Sequence, residues 1–235
     1  MTGKQRMAAA LVAALGMVAA NTAFAENTGL YFGLTGGATS VDMGGSKQDF
    51  DEDFGLPIAA TLELGGLDVI GFDSSLDDSD IGWGLQVGYR FNRYVAAEVG
   101  YVDLGEGLYE AIMTVDDGVE IFPVEASLRF KSSGPTAAVL GILPIGERFD
   151  AHVKGGVYFA DTRLRGRLRD VEFNENVVHD ETKAGETEFF FGIGGAWNIN
   201  DSYSLRVEYQ RYLDLGDDDT GEGDADIVGV SVLFR

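Results

Sequence analysis

The sequence predicts an all-β fold: an eight-stranded antiparallel up-and-down transmembrane β-barrel. Three observations carry that prediction. The chain closes on an alternating strand over residues 226–235, with Val228, Val230, Val232 and Phe234 on one face and Gly229, Ser231 and Arg235 on the other. Ile227 and Leu233 are apolar exceptions on the second face. Period-two alternation that ends beside a penultimate aromatic is the pattern of a barrel's last strand, its apolar face turned to lipid. Similar runs recur along the chain, each of about 10 residues, the length a tilted strand needs to cross a bilayer. Finally, the N-terminus reads as an export signal. Lys4 and Arg6 precede an apolar run over residues 7–20, too short for a helical span, and Ala23-Phe24-Ala25 is a small-x-small cleavage site. Cleavage before Glu26 leaves residues 26–235 as one domain, a barrel with long acidic external loops.

The strands follow in order. The first, residues 28–40, sets Leu30, Phe32 and Leu34 against Tyr31, Gly33 and Thr35. The second, 81–91, is the clearest: Trp83, Leu85, Val87, Tyr89 and Phe91 alternate with Gly82, Gly84, Gln86, Gly88 and Arg90. After an Asn92-Arg93 turn, the third runs over 94–104, with Val95, Ala97, Val99 and Tyr101 opposite Ala96, Glu98 and Gly100. The fourth covers 135–143, almost wholly apolar. The fifth, 149–161, places Asp150, His152, Lys154 and Tyr158 opposite Phe149, Val153, Val157 and Phe159. The sixth spans 186–199 and directs Phe189, Phe191, Ile193 and Trp197 outward. The seventh, 203–213, sets Tyr203, Leu205, Val207 and Tyr209 against Ser204, Arg206, Glu208 and Gln210. Three short turns and four longer loops then place both termini on one side. The segment 106–132 either extends strands three and four above the membrane or forms a further hairpin, which would make ten strands.

A soluble lipocalin-type barrel has the same local alternation with the opposite sense. The aromatics decide between them. Tyr89, Phe91, Phe149, Trp197, Tyr203 and Phe234 fall near the short turns, and Trp83, Tyr101, Phe159, Phe189 and Tyr209 near the long loops. Two such girdles are expected where a barrel wall meets two interfaces.

Composition narrows the function classes. There are 33 glycines, 4 prolines and no cysteine, so disulfides, thiolate metal sites and cysteine nucleophiles are excluded. The net charge is −22, and losing Lys4 and Arg6 leaves 15 basic against 39 acidic residues, a net −24. Such a chain is expected to repel nucleic acid and anionic membrane surfaces. The acidic stretches at 42–80 and at Asp217, Asp218, Asp219, Glu222, Asp224 and Asp226 lack the spacing of a dedicated calcium loop, but their oxygens can attract divalent cations.

The stretches GWGLQVGYRFNRYVAAEVGYVDLG (82–105), LPIGERFDAHVKGGVYFADT (143–162) and YSLRVEYQRYLDLGD, with the closing DIVGVSVLFR, resemble the OmpA-like family of small outer-membrane β-barrels. The resemblance covers the mature chain and concerns the barrel domain, with no peptidoglycan-binding domain following it. It implies a cell outer membrane location in a Gram-negative envelope, contact with outer-membrane lipid and lipopolysaccharide, and insertion by the barrel-assembly machinery. Gly229, Val232 and Phe234 match the register of the family's assembly signal. Arg235 after the aromatic, and Ile227 where a polar residue is usual, depart from it.

The inward set holds the chemistry: Arg90, Glu98, Asp150, His152, Lys154, Arg206 and Glu208. Charges away from water persist when paired, so an ion-paired, filled lumen is expected in a barrel of this size. Two histidines, His152 inward and His179 in a long loop, have no serine at triad spacing, and no cofactor, metal or catalytic site is assigned. The sequence therefore reads as a structural or surface-interaction barrel of the envelope. Beside it stand a narrow porin-like channel for ions or small solutes and, third, a lipid A-modifying enzyme.

Overall fold

The computed structural model describes residues 28–170, 175–215 and 223–235. The signal sequence with Ala23, Ala25 and Glu26 lies outside them, as do Asp217, Asp218, Asp219 and Glu222. The elements are β1 (Gly29–Val41), α1 (Lys47–Phe50), a π-helical turn (Asp51–Gly55), α2 (Leu56–Leu64), β2 (Asp68–Asp77), β3 (Ser79–Asn92), β4 (Val95–Asp116), β5 (Ile121–Ile145), β6 (Phe149–Asp170), β7 (Glu175–Asn198), β8 (Tyr203–Leu215) and β9 (Gly223–Phe234). The sheet is antiparallel throughout, in the order β4-β3-β1-β9-β8-β7-β6-β5, and β5 pairs back to β4. Eight strands thus close a ring. The ten-strand count fails because β2 is not a ring member: it pairs with the far half of β4, directly above the place where β3 pairs with the near half.

Closure satisfies the backbone of every ring strand, which hydrocarbon requires. The outward face is apolar. Leu30, Phe32 and Leu34 of β1, Leu85 of β3, Val99 of β4, Val153 of β6 and Val228 and Val230 of β9 are all exposed. At the short-turn end Phe149 stacks beside Trp197 at 6.4 Å and Tyr203 meets Phe234 edge-on at 5.6 Å. Trp83 and Tyr101 pair at 6.1 Å toward the other end. This wall is built for lipid. Two of the three short turns are set by asparagines: the Asn92 carboxamide oxygen accepts from the backbone N–H groups of Tyr94 and Val95, and Asn200 does the same for Ser202 and Tyr203.

Beyond the long-loop girdle the ring becomes a one-sided wall. β1, β8 and β9 end early, while β4, β5, β6 and β7 continue, with β2 added at the edge of β4. Residues 106–132 therefore extend two strands as a single hairpin, and 162–185, expected as a loop, is mostly strand. His179 consequently lies in β7 and not in a loop. The acidic segment 42–80, expected as a plain loop, carries α1, α2 and β2. Ser46 caps α1 reciprocally with Asp49, and Pro57 sits in the first turn of α2.

The polarity of the wall inverts in this extension. At Gly105, where φ is +80°, β4 slips its register between Asp103 and Glu106. Odd-numbered Val95, Val99 and Tyr101 face outward below the slip, whereas odd-numbered Tyr109, Ala111, Met113 and Val115 are buried on the inner face above it. A one-residue bulge reverses every later side chain. These residues, with Val124 and Ala126 of β5, form a second core under Ala59, Phe50, Phe54, Ile58 and Leu62 of the helical insert.

Candidate functional site

The barrel interior gathers all seven inward candidates. Glu98 from β4 and Glu208 from β8 are bridged by Lys154 of β6, at 2.9 and 2.7 Å. Arg206 lies 2.6 Å from Glu98 and 3.8 Å from Glu208. His152 Nε2 lies 2.5 Å from Glu208, and the Tyr31 hydroxyl donates to Glu98 at 2.7 Å. Nearer the short turns, Arg90 pairs with Asp150 at 3.1 Å, and Asn198 donates to the same carboxylate. Every one of these seven side chains is buried.

Two glycines make the bridging geometry available. Tyr31, Gly88 and Glu98 occupy one row across three strands, and so do His152, Gly194 and Glu208. A Cβ at Gly88 would strike the Tyr31 ring, and one at Gly194 would come within 2.7 Å of the His152 ring. Without these absences neither side chain could cross the intervening strand to its carboxylate. Above the ions an aromatic layer fills the lumen: Phe190 stacks on Tyr212 at 4.9 Å, and Tyr158 meets Tyr212 edge-on at 5.1 Å. Beside these groups the lumen has voids of about 30 and 20 Å³. Each is roughly the volume of a single water.

The assembly candidates lie on β9. Val232 and Phe234 project outward, and Gly229 faces inward against Thr35 of β1. The side chain of His179 is outside the described residues. Two of the last-loop carboxylates are engaged: Arg211 bridges Asp224 at 2.7 Å and Asp226 at 3.3 Å, and Tyr209 donates to Asp226 at 2.6 Å. Among the described residues no group of three or more histidine or acidic side chains stands close enough to hold a metal.

The second place with a shape of its own is the extension. Tyr109 is fully buried beneath the helical insert and donates to Asp51 at 2.7 Å, with Phe50 and Phe54 packed around its ring. Burial, and then the adjacent Asp51 carboxylate, push its phenol well above the usual value, so it remains a donor. Gly55 is required here, since a Cβ would run into the Tyr109 hydroxyl and the Phe72 ring. A cleft of about 300 Å³ opens between Phe54 and Ile58 of the insert and Leu128, Leu164 and Leu168 of the wall. The outer face of the same wall carries Arg129 and Lys131 on β5 and Arg163, Arg165 and Arg167 on β6, around a hollow of about 210 Å³. Sequence reasoning left this basic face unread. Its signal was present: in Thr162-Arg163-Leu164-Arg165-Gly166-Arg167-Leu168-Arg169 the charge recurs with period two, which is a strand's mark and not a loop's.

A family model described as the OmpA-like transmembrane domain matches residues 25–235. Comparison with curated proteins gives no match. Among solved structures the chain is similar to the attachment invasion locus protein Ail of Yersinia pestis, solved with the heparin analogue sucrose octasulfate, at 12% identity and a TM-score of 0.40, covering 87% of this chain and 99% of that one. It is similar to Neisserial surface protein A at 9% identity and a TM-score of 0.45, covering 89% and 99%. The outer membrane protein OprG of Pseudomonas aeruginosa matches at 13% identity and a TM-score of 0.42, covering 88% and 97%.

Proposed function

Because the chain belongs to the OmpA-like transmembrane domain family and lies in the outer membrane, we propose that it is a non-enzymatic surface-interaction barrel whose working part is the external extension. One observation carries the reading. Among the described residues the lumen holds an ion network capped by Phe190, Tyr158 and Tyr212, and the voids of about 30 and 20 Å³ beside it have room for about one water each. The wall is occupied by lipid. What remains free to meet anything is the sheet-and-helix structure above the membrane, and rigid scaffolds carry function on such segments. Export rests on the signal at residues 1–25. Insertion rests on β9, with Gly229, Val232 and Phe234 presented to the assembly machinery.

The test is deletion of residues 44–78, which removes the helical insert and β2. Ser40 and Ser79 are direct partners across β1 and β3, so Asp42 and Met43 can close the cut as a short turn. The shortened barrel should keep the heat-modifiable gel mobility of a folded barrel and lose whatever envelope phenotype the full protein confers in a knockout. Full complementation by the shortened barrel would refute the reading. So would a large, steady single-channel conductance of the intact protein in planar bilayers, which is the behaviour of a porin.

A further inference from the structure

We propose that the cleft between the helical insert and the wall is a binding site for a small, uncharged apolar molecule of roughly ten non-hydrogen atoms. The inference goes beyond the surface-interaction reading. It requires the extension to be folded as described and is independent of what its outer surface meets.

The cleft lies at the seam of two cores. Leu128 and Leu164 pack against the core of the upper lumen, and Phe54, Ile58 and Leu168 against the core under the insert. Between them the packing stops and leaves about 300 Å³. Protein interiors hold few voids larger than one water, whose share of the liquid is about 30 Å³. This space is about ten such volumes, the size at which ordinary ligand pockets begin. Gly166 makes the room. It stands between Leu164 and Leu168 on the inner face of β6, across from Leu128, and a Cβ there would meet nothing within 4 Å. At Gly88 and Gly194 the missing side chain lets a neighbour cross the strand; at Gly166 the space stays open.

The lining selects the ligand. Phe54, Ile58, Leu128, Leu164 and Leu168 are all apolar. Arg167 borders the cleft from an odd position and belongs to the outer face, where it lines the hollow with Arg163 and Arg165. Thr182, the cross-strand partner of Leu164, supplies one hydroxyl. A charged ligand would lose its water and meet no counter-ion among the described lining side chains of the inner face. An apolar one gains burial without that cost. A dry apolar cavity of about 150 Å³ takes a benzene-sized molecule, so a larger one with a single hydroxyl fits here.

Position identifies the source. Phe159 stands in the girdle, and Leu164 is five residues farther along β6. At about 3.3 Å per residue and a tilt near 40°, that is roughly 13 Å higher. Headgroups reach only about 5–8 Å beyond the hydrocarbon. The cleft also opens on the inner face, with the sheet between it and the surrounding lipid. An acyl chain of the leaflet does not reach it, and the ligand enters from the medium.

The test is photolabelling of the full barrel in lipid nanodiscs with a diazirine derivative of 1-decanol, the labelled residues being mapped by mass spectrometry. A phospholipid carrying the same diazirine in its acyl chain is the second probe. The wild type should take label from the alcohol on Ile58, Leu164 or Leu168, and excess 1-decanol should lower that label at least fivefold while leaving label on the lipid-facing wall. Gly166→Leu fills the space and should lower the cleft label at least fivefold with the wall label unchanged. Heat-modifiable mobility reports folding; if that variant does not fold, Ile58→Asn should lower the cleft label at least twofold. An unlabelled cleft overturns the proposal, as does cleft label that decanol does not compete or that the folded variant retains. Equal labelling of the cleft by the phospholipid also overturns it, since the leaflet would then be the source. The label is read on purified protein with the insert whole, so failure of this site is distinct from failure of the test by deletion of residues 44–78.

Discussion

Arg206→Met is the sharpest perturbation of the lumen. The guanidinium sits 2.6 Å from Glu98 and 3.8 Å from Glu208, with Lys154 as the other full cation between the same two carboxylates. Lys154 and Arg206 set two full cations against the Glu98 and Glu208 carboxylates. Removing Arg206 leaves one buried negative charge in excess. A unit pair about 4 Å apart at an effective dielectric near 20 is worth about 4 kcal/mol, and breaking one side of a buried pair costs about 3–5 kcal/mol. A partial offset comes from the Arg206 Nε, which has no hydrogen-bond partner among the described residues and whose desolvation is relieved. We therefore expect a loss of about 3 kcal/mol. Arg206→Met combined with Glu98→Gln removes both charges and keeps an acceptor for the Tyr31 hydroxyl, so the double variant should be more stable than the single by about 2 kcal/mol. Urea titration in lipid vesicles reads this directly, because the outward-facing Trp83 and Trp197 move from lipid to water on unfolding. A single variant destabilised by less than about 1 kcal/mol, or a double variant no better than the single, would show that packing and not charge balance holds the lumen.

Gly105→Val should loosen the extension and spare the barrel: a φ of +80° costs a β-branched residue about 1–2 kcal/mol, and a Cβ would stand 2.7 Å from the Asp80 carboxylate. Limited proteolysis should then cut within residues 44–78 while the heat-modifiable band persists; unchanged resistance would count against the bulge as the pivot. Val232→Ala with Phe234→Ala should lower the amount of membrane-inserted protein and leave export unchanged, measured by fractionation, since both residues project outward from the closing strand. Gly194→Val should break the His152–Glu208 contact by pushing the ring away, lowering stability by about 1–3 kcal/mol, and full stability in the same urea assay would refute that role.

The membrane part was legible because its two faces meet unlike surroundings. Lipid outside and a charged lumen inside impose period two on Ile81 to Phe91 or Phe149 to Phe159 without exceptions that matter, and the inward set followed from counting alone. The pairing within that set was not legible. Lys154 touches carboxylates from β4 and β8, strands on either side of it around the ring, and such meetings depend on barrel curvature and on Gly88 and Gly194 standing in the right rows. The insert at 47–64 escaped because its acidic residues, read as a solvated loop, are in part the caps and partners of short helices, as Asp49 is for Ser46 and Asp51 for Tyr109.

The extension shows why period alone does not reveal which side faces what. On β4 the apolar residues are odd-numbered from Val95 to Tyr101 and again from Tyr109 to Val115, while Asp103, Gly105 and Gly107 hold the odd places between and Val102, Leu104, Leu108 and Ile112 are apolar at even ones. The slip at Gly105 exchanges its faces, and the same phase that meets lipid below meets the helical insert above. On β5 and β6 the backbone runs through without a slip at that level, so the sequence itself must change phase. Val153, Val157 and Phe159 are odd, whereas Leu164 and Leu168 are even, with arginines taking the odd places. Two different devices thus give one result, an apolar inner face and a polar outer face above the membrane. The change of phase on β6 between Phe159 and Leu164 marks where the strand leaves hydrocarbon. That mark, and not the end of alternation, sets the height at which the outer face of the wall turns from apolar to charged.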